Sequence, residues 1–163
     1  MAVVGTTSMV FLGMPNDAET VGLAYASTPR IESAAANYMN PGGLGFIEAM
    51  KLSVSHTEWL EGIRNEQVNI AFPVGPGTLG GTANLLYSSG FEDTFAGVTT
   101  GKNSLFSDLL LSAGYGVAFV RRERMTISGG ANFFWARESV AGISDFVFGG
   151  GLGAQARFRL GET

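Results

Sequence analysis

The sequence predicts an all-β protein: an antiparallel up-and-down transmembrane β-barrel, or part of one, preceded by an irregular, plug-like N-terminal segment. Three observations lead there. From residue 50 onward apolar residues recur at every second position, which is the period of a β-strand. The connections between the periodic segments read as alternately long and short. The positions opposite the apolar ones hold glycine, serine, threonine, asparagine and alanine, not the lysine and glutamate that keep a solvated sheet soluble.

Composition sets the bounds. The chain has 163 residues, enough for one domain. It contains 24 glycines and 12 phenylalanines, and only 15% of its residues are charged against a usual share of about 25%. With a net charge of −4 and scattered Lys and Arg, it offers no electrostatic footprint for nucleic acid. Having no cysteine, it has no disulfide scaffold, thiolate metal site, cysteine nucleophile or lipid-modified N-terminal cysteine. No apolar run approaches the roughly 18 residues of a membrane helix. The opening "MAVVGTTSMVFLGM" lacks the basic region and cleavage site of a signal peptide.

Residues 1–49 are expected to form a hatch-like segment. Residues 11–14 and 21–28 are candidate short strands, and "RIESAAANYMNPGGLGF" reads as a helical turn ended by Asn40, Pro41 and paired glycines. Residues 50–163 supply six strands. In "MKLSVSH", Met50, Leu52, Val54 and His56 share a face, and in "EQVNIAF", Val68, Ile70 and Phe72 do. In "GTLGGTANLLYSSG", Leu79, Ala83, Leu85 and Tyr87 oppose Gly80, Thr82, Asn84 and Ser88, with Leu86 the one misfit. "DLLLSAGYGVAFV" sends Leu109, Leu111, Ala113, Tyr115, Val117 and Phe119 one way. "MTISGGANFFWA" and "DFVFGGGLGAQARFRL" repeat the scheme. The connections "TEWLEGIR", "PVGPG", "SGFEDTFAGVTTGKNSLFS", "RRER" and "RESVAGIS" then run long, short, long, short, long, as in outer-membrane barrels with brief turns on one side.

Such alternation fits a soluble sheet with its apolar face inward or a membrane sheet with that face toward lipid. The polar face favours lipid: no charge occurs between Thr78 and Gly90 or between Leu109 and Val120, and small residues suit a crowded lumen or a wall with another backbone pressed against it. The apolar runs match the 9 to 11 residues of a tilted spanning strand. Tyr87, Phe95, Trp135 and Phe146 fall near strand ends, and charges gather in the turns.

No catalytic, cofactor or metal site is legible. "FGGGLGA" matches a dinucleotide fingerprint in letters, but period two continues where a helix would have to open. "GKNS" lacks the remaining parts of a phosphate loop. His56 has no nucleophile or second ligand at diagnostic spacing, and Glu92 with Asp93 reads as a solvated loop pair. His56, Trp59 and Arg64 are candidate interface or loop anchors. Arg157 and Arg159, on the glycine side of the last strand, are candidates for tethering a plug or lining a lumen, since an enclosed guanidinium needs partners.

Residues 54–94 resemble the PorV/PorQ-type outer-membrane proteins, which are similar to long-chain fatty-acid transporter barrels. The resemblance lies in Ser55, His56 and Trp59, then Ile63, Arg64, Asn65 and Glu66, then Pro73, Gly75, Gly77, Thr78, Leu79 and Gly80. Upstream, Asn40, Pro41, Gly43 and Leu44 resemble that family's hatch motif, with Gly42 where alanine is usual. It implies a place in the bacterial cell outer membrane, contact with outer-membrane lipid and no enzymatic activity. Two roles follow from it: a structural or interaction component of a surface or protein-secretion assembly, or a transporter of hydrophobic small molecules. Barrels of this family have about twice as many strands as six. The chain is therefore expected to be the first half of a longer barrel, to pair its edges with other protein chains, or to close at about eight strands with help from its N-terminal segment. A soluble β-barrel carrying a hydrophobic ligand is the alternative.

Overall fold

The computed structural model describes residues 9–14, 21–22, 33–59, 62–88, 90–95 and 98–159, with backbone alone at 91–95 and 100–104. Eight strands are present: β1 (Lys51–Glu58), β2 (Ile63–Val74), β3 (Gly77–Ser88), β4 (Phe91–Phe95), β5 (Val98–Ser104), β6 (Phe106–Arg122), β7 (Met125–Val140) and β8 (Ile143–Phe158). Six of them form one antiparallel sheet in the order β1-β2-β3-β6-β7-β8, while β4 and β5 pair with each other as a separate hairpin. Among the described residues the sheet is open, with β1 and β8 at its edges.

The strands are those that the alternation marks out, but the connections differ from expectation. Only β3 and β6 are joined by a long segment, and it contains the β4–β5 hairpin. The links after β1 and after β7, read as long from sequence, are residues 59–62 and the pair Ala141–Gly142. The reason at the second is local: Ala141 has φ 50° and Gly142 φ 85°, the pattern of a type I′ turn, whose twist matches that of its flanking strands. Strand pairing therefore continues to Val140 and Ile143, into sequence that reads as loop.

Near its end β6 carries a β-bulge: Ala118 pairs with Ser128 and Val120 with Ile127, so Phe119 is an extra residue. Because side chains alternate, one extra residue reverses the facing of all that follow. Arg121 thus joins Thr126 and Arg157 in one row on the glycine side.

Three short helical pieces precede the sheet. Residues 10–13, a candidate strand from sequence, form a 3-10 helix (Val10–Gly13) that buries Phe11. Of the candidate strand at 21–28 only Val21 and Gly22 are described, and they are helical, not extended; the rest lies outside the described residues. A one-turn α-helix, α1 (Ala36–Met39), ends at Asn40, as expected from sequence. The chain then re-enters a 3-10 helix (Pro41–Phe46) with Asn40 as its N-cap, whose side chain accepts the Gly42 N–H at 3.1 Å. Asparagine at the cap and proline at the first position are favourable for such a start, since proline lacks an N–H that would otherwise be orphaned. These pieces lie on the glycine face, with Leu44, Ile47, Ala34, Ala36 and Ala71 forming one buried cluster. A second cluster joins Phe11 to Leu86, Leu110 and Ala136. Leu86, the misfit of the third strand, points the other way from its apolar neighbours because Phe11 is there.

An alanine at φ 50° sits in a left-handed conformation that costs a side chain roughly 1 kcal/mol. Ala141→Asn, which creates the favoured Asn-Gly pair of a type I′ turn, is therefore expected to stabilise the protein by about 0.5–1 kcal/mol, measured by denaturant unfolding.

Candidate functional site

Register places the side chains of the six-stranded sheet in cross-strand rows, and the two faces have opposite character. The glycine face has Lys51, Ala71, Gly80, Gly114, Asn132 and Gly151 in one row and Pro73, Thr78, Gly116, Gly130 and Gly153 in the next. Seven residues in these two rows have no side chain beyond Cα or only a methyl group. That flat floor lets the backbone of residues 37–45 lie directly on the sheet. A Cβ at Gly116 would stand 2.5 Å from the Pro41 carbonyl oxygen and 2.7 Å from Leu44 Cβ, and one at Gly80 2.7 Å from Asn37 Cβ. Gly114, Gly130 and Gly153 are blocked in the same way by Asn37, Pro41 and Asn40, so any side chain at these positions would displace the segment. The fit is reciprocal, since a Cβ at Gly42 would meet the Ala154 backbone at 2.8 Å.

Polar groups fix the segment's position. Asn37 is fully buried, and its Nδ2 donates to Thr82 Oγ1 at 3.0 Å and to Ser112 Oγ at 3.2 Å. Its backbone carbonyl accepts from Asn132 Nδ2 at 2.6 Å. Thr82 Oγ1 donates onward to Asn69 Oδ1 at 2.9 Å. Ser128 Oγ donates to the Gly42 carbonyl at 2.6 Å, and Thr78 Oγ1 to the Ile47 carbonyl at 2.9 Å. Asn40 Nδ2 reaches the Ala154 carbonyl at 3.3 Å. Each such bond satisfies a group that burial has removed from water and contributes on the order of 1 kcal/mol net. Burial raises the Tyr38 phenol above its ordinary pKa, and its hydroxyl donates to the Leu12 carbonyl. Further along the glycine face toward β1, Asn65, Gln67 and Asn84 are also buried, so the polar lining continues beyond the segment.

The opposite face is apolar and bare. The row Val54, Val68, Ala83, Leu111, Trp135, Phe148 is followed by Leu52, Ile70, Gly81, Ala113, Phe133, Gly150 and then by Phe72, Leu79, Tyr115, Ala131, Leu152. A fourth row, Val74, Gly77, Val117, Gly129, Ala154, completes a band without one charge. At about 3.3 Å per residue the four rows span roughly 20 Å, and β7 and β8 extend the band through Ile127, Ala156 and Phe158. Phe133 is 58% exposed and Leu152 90%. Beyond the Val54 row the band meets a mixed row, His56, Glu66, Leu85, Leu109, Arg137, Phe146, and then a row that is polar on every strand: Glu58, Arg64, Tyr87, Ser107, Ser139, Ser144.

The residues singled out from sequence fall into two groups. Asn40, Pro41, Gly43 and Leu44 sit together in the 3-10 helix against the sheet, and Arg157 joins them, its guanidinium 4.5 Å from the Phe46 ring centroid. Arg159, just past β8, lies at the same end. His56 and Arg64 are at the other end, on the apolar face: His56 Nδ1 is 2.7 Å from Glu66 Oε1, and Arg64 pairs with Glu58 at 3.4 Å. These are exposed cross-strand pairs at the band's polar rim, where solvent screens the attraction and little stability is gained. Trp59 is partly exposed beside them, and its backbone N–H closes the β1–β2 turn on the Ile63 carbonyl. The sequence reading missed Asn37, the most connected side chain of the site. Its only signal was an amide set among alanines in "AAANYM". Among the described residues no group of three His, Asp or Glu is placed to hold a metal ion, and no helix is long and apolar enough to cross a membrane. No protein-family model, curated protein or solved structure matches the chain.

Gly116→Ala is expected to cost about 1–3 kcal/mol, because a buried backbone must move to admit the methyl group. Limited proteolysis should then cut residues 33–47 faster. Gly81→Ala on the apolar face, where the nearest atom is Ile70 Cγ2 at 3.3 Å, should stay within about 0.5 kcal/mol of the parent. Asn37→Ala should cost about 2 kcal/mol by stranding the Thr82 and Ser112 hydroxyls.

Proposed function

We propose that this chain forms part of the wall of a β-barrel in the bacterial outer membrane, with residues 33–47 held as a hatch on its inner face. The observation that carries the reading is the charge-free band of four cross-strand rows, exposed on the face turned away from the hatch and bounded by a polar row. In water such a surface is an aggregation liability. Against acyl chains it has nothing to pay, and its height approaches the roughly 25 Å apolar band of outer-membrane barrels. A groove of about 490 Å³ with Gly81 as its floor, between Ile70, Leu111, Phe133 and Trp135, offers acyl chains a place to pack. A soluble carrier would turn these same side chains toward its ligand and away from solvent. Here they stand exposed on the side of the sheet turned away from the hatch.

In the bilayer the edges of β1 and β8 must be paired, since unsatisfied backbone groups in hydrocarbon cost several kcal/mol each. Further strands, of the same protein or of other protein chains, supply that pairing in this reading. Of the two roles implied by the resemblance to the PorV/PorQ-type proteins, we favour a structural or interaction component of a surface or secretion assembly over transport of hydrophobic small molecules. What supports it is the hatch itself, whose backbone and buried amides fill the floor of the inner face and leave only a cleft of about 380 Å³ beside Leu12, Tyr38 and Phe134.

Because the chain has no cysteine, single substitutions report exposure directly. In reconstituted vesicles, Leu111→Cys and Phe133→Cys should resist a water-soluble maleimide, and Ser139→Cys and Ser144→Cys should react. Phe133→Arg should cost about 2–4 kcal/mol in bilayer stability, and Ser139→Arg less than about 1. A chain that is monomeric in plain buffer, with Phe133→Cys reacting as fast as Ser144→Cys, would contradict the wall reading.

A further inference from the structure

At the end of the sheet where β6 turns into β7 and where β8 finishes, Arg121, Arg122, Arg124, Arg157 and Arg159 line one cavity of about 190 Å³, bounded on the hatch side by Phe46 and Glu48. Three pieces of the fold bring them there: the end of β6, the tight turn after it and the end of β8. The β-bulge turns Arg121 inward, where its Nη2 donates to the Gly45 carbonyl at 3.4 Å and its Nη1 lies 3.6 Å from Glu48 Oε1. Arg157 is the cross-strand neighbour of Thr126 and stands over the Phe46 ring. The Arg159 backbone N–H donates to the Arg124 carbonyl at 3.0 Å, which draws the end of β8 to the tight turn.

Charge in the cavity does not balance. Among the described residues the lining holds five arginines and two glutamates, Glu48 and Glu123, so positive groups outnumber negative ones there. Among the described residues Arg122, Arg124 and Arg159 form no ion pair, although Glu123 lies in the same turn. Guanidinium groups held at close quarters with so few counter-charges repel one another, and their planar forks match the oxygens of an oxyanion. A phosphate presents its oxygens at the corners of a tetrahedron, so it suits several forks arriving from different directions better than a planar carboxylate does, whether it is a diester with one charge or a monoester with nearly two.

We propose that this cleft binds a phosphate group. A lipid headgroup and a phosphorylated solute share that chemistry. The first is favoured by location, because Met125 and Phe158, the last row of the apolar band, adjoin the cleft at the edge strand. The proposal stands on the arginines alone and holds whether or not the apolar face meets lipid.

The test uses the full chain in the detergent or buffer that keeps it monodisperse, with inorganic pyrophosphate in titration calorimetry and with nanodiscs of phosphatidylglycerol or phosphatidylcholine. The parent should bind at least one of the two phosphate probes. The double variant Arg124→Ser with Arg159→Ser should weaken that binding by about tenfold or more, and the slope of log affinity against log salt should fall. Arg137→Ser removes one positive charge, as Arg159→Gln does, at the opposite end of the sheet and should leave affinity within about twofold. Arg159→Gln, beyond the last residue of β8, serves if the double variant does not fold. Preference for phosphatidylglycerol without pyrophosphate binding identifies a headgroup, and the reverse identifies a solute. If the parent binds neither probe, if the variants bind like the parent, or if Arg137→Ser weakens binding as much as they do, there is no phosphate site here.

Discussion

The structure rests on the close approach of two backbones. Residues 37–45 can lie against the sheet only because Gly80, Gly114, Gly116, Gly130 and Gly153 present no side chain there, and because Gly42 presents none in return. With the backbones this near, short polar side chains are long enough to bridge them, so Asn37, Thr78, Ser128 and Asn132 each reach a partner at hydrogen-bond distance. Larger residues at the same rows would both lift the segment and put these bonds out of reach. Glycine in a strand interior normally weakens it, through entropy and lost packing. Here the loss is offset by the surface that the segment buries, Leu44 above all, whose full burial contributes about 2 kcal/mol.

That choice at alternate positions also determines what the reverse face becomes. A strand with small residues on one side has its bulk on the other, so the same sequence that makes the floor for the segment collects valine, leucine and phenylalanine on the far side. The two faces are thus one design read in two directions: a polar, enclosed side built from amides and hydroxyls, and a bare side with four successive rows free of charge.

Most of the fold was legible because period two is a strong signal when glycine and large apolar residues alternate. What sequence could not show was where the period breaks. Leu86 and Leu110 look like errors in a strand pattern until Phe11 is placed against them, and that contact joins residues far apart in the chain. The extra residue at Phe119 leaves the local pattern apolar, so the change of side for Arg121 is invisible without its pairing partner across the turn. Ala141 carries no turn signal, being neither Gly, Asn nor Asp. The hairpin therefore looked like a loop, and the expected alternation of long and short connections failed at that point. Asn40, Pro41 and Leu44 could be picked out by motif, whereas Asn37, which does more of the polar bonding, belongs to no motif and was missed.

One consequence of the segment's seat concerns time. It precedes the sheet in the chain, yet Asn40 bonds to Ala154, 114 positions later, and Gly42 packs on β8. Contacts so distant along the chain bring no reward until β8 has been made and the entropic penalty of closing that large loop has been met. Residues 40–45 must therefore wait, undocked, for a strand far behind them, and their seating reports that β8 has arrived.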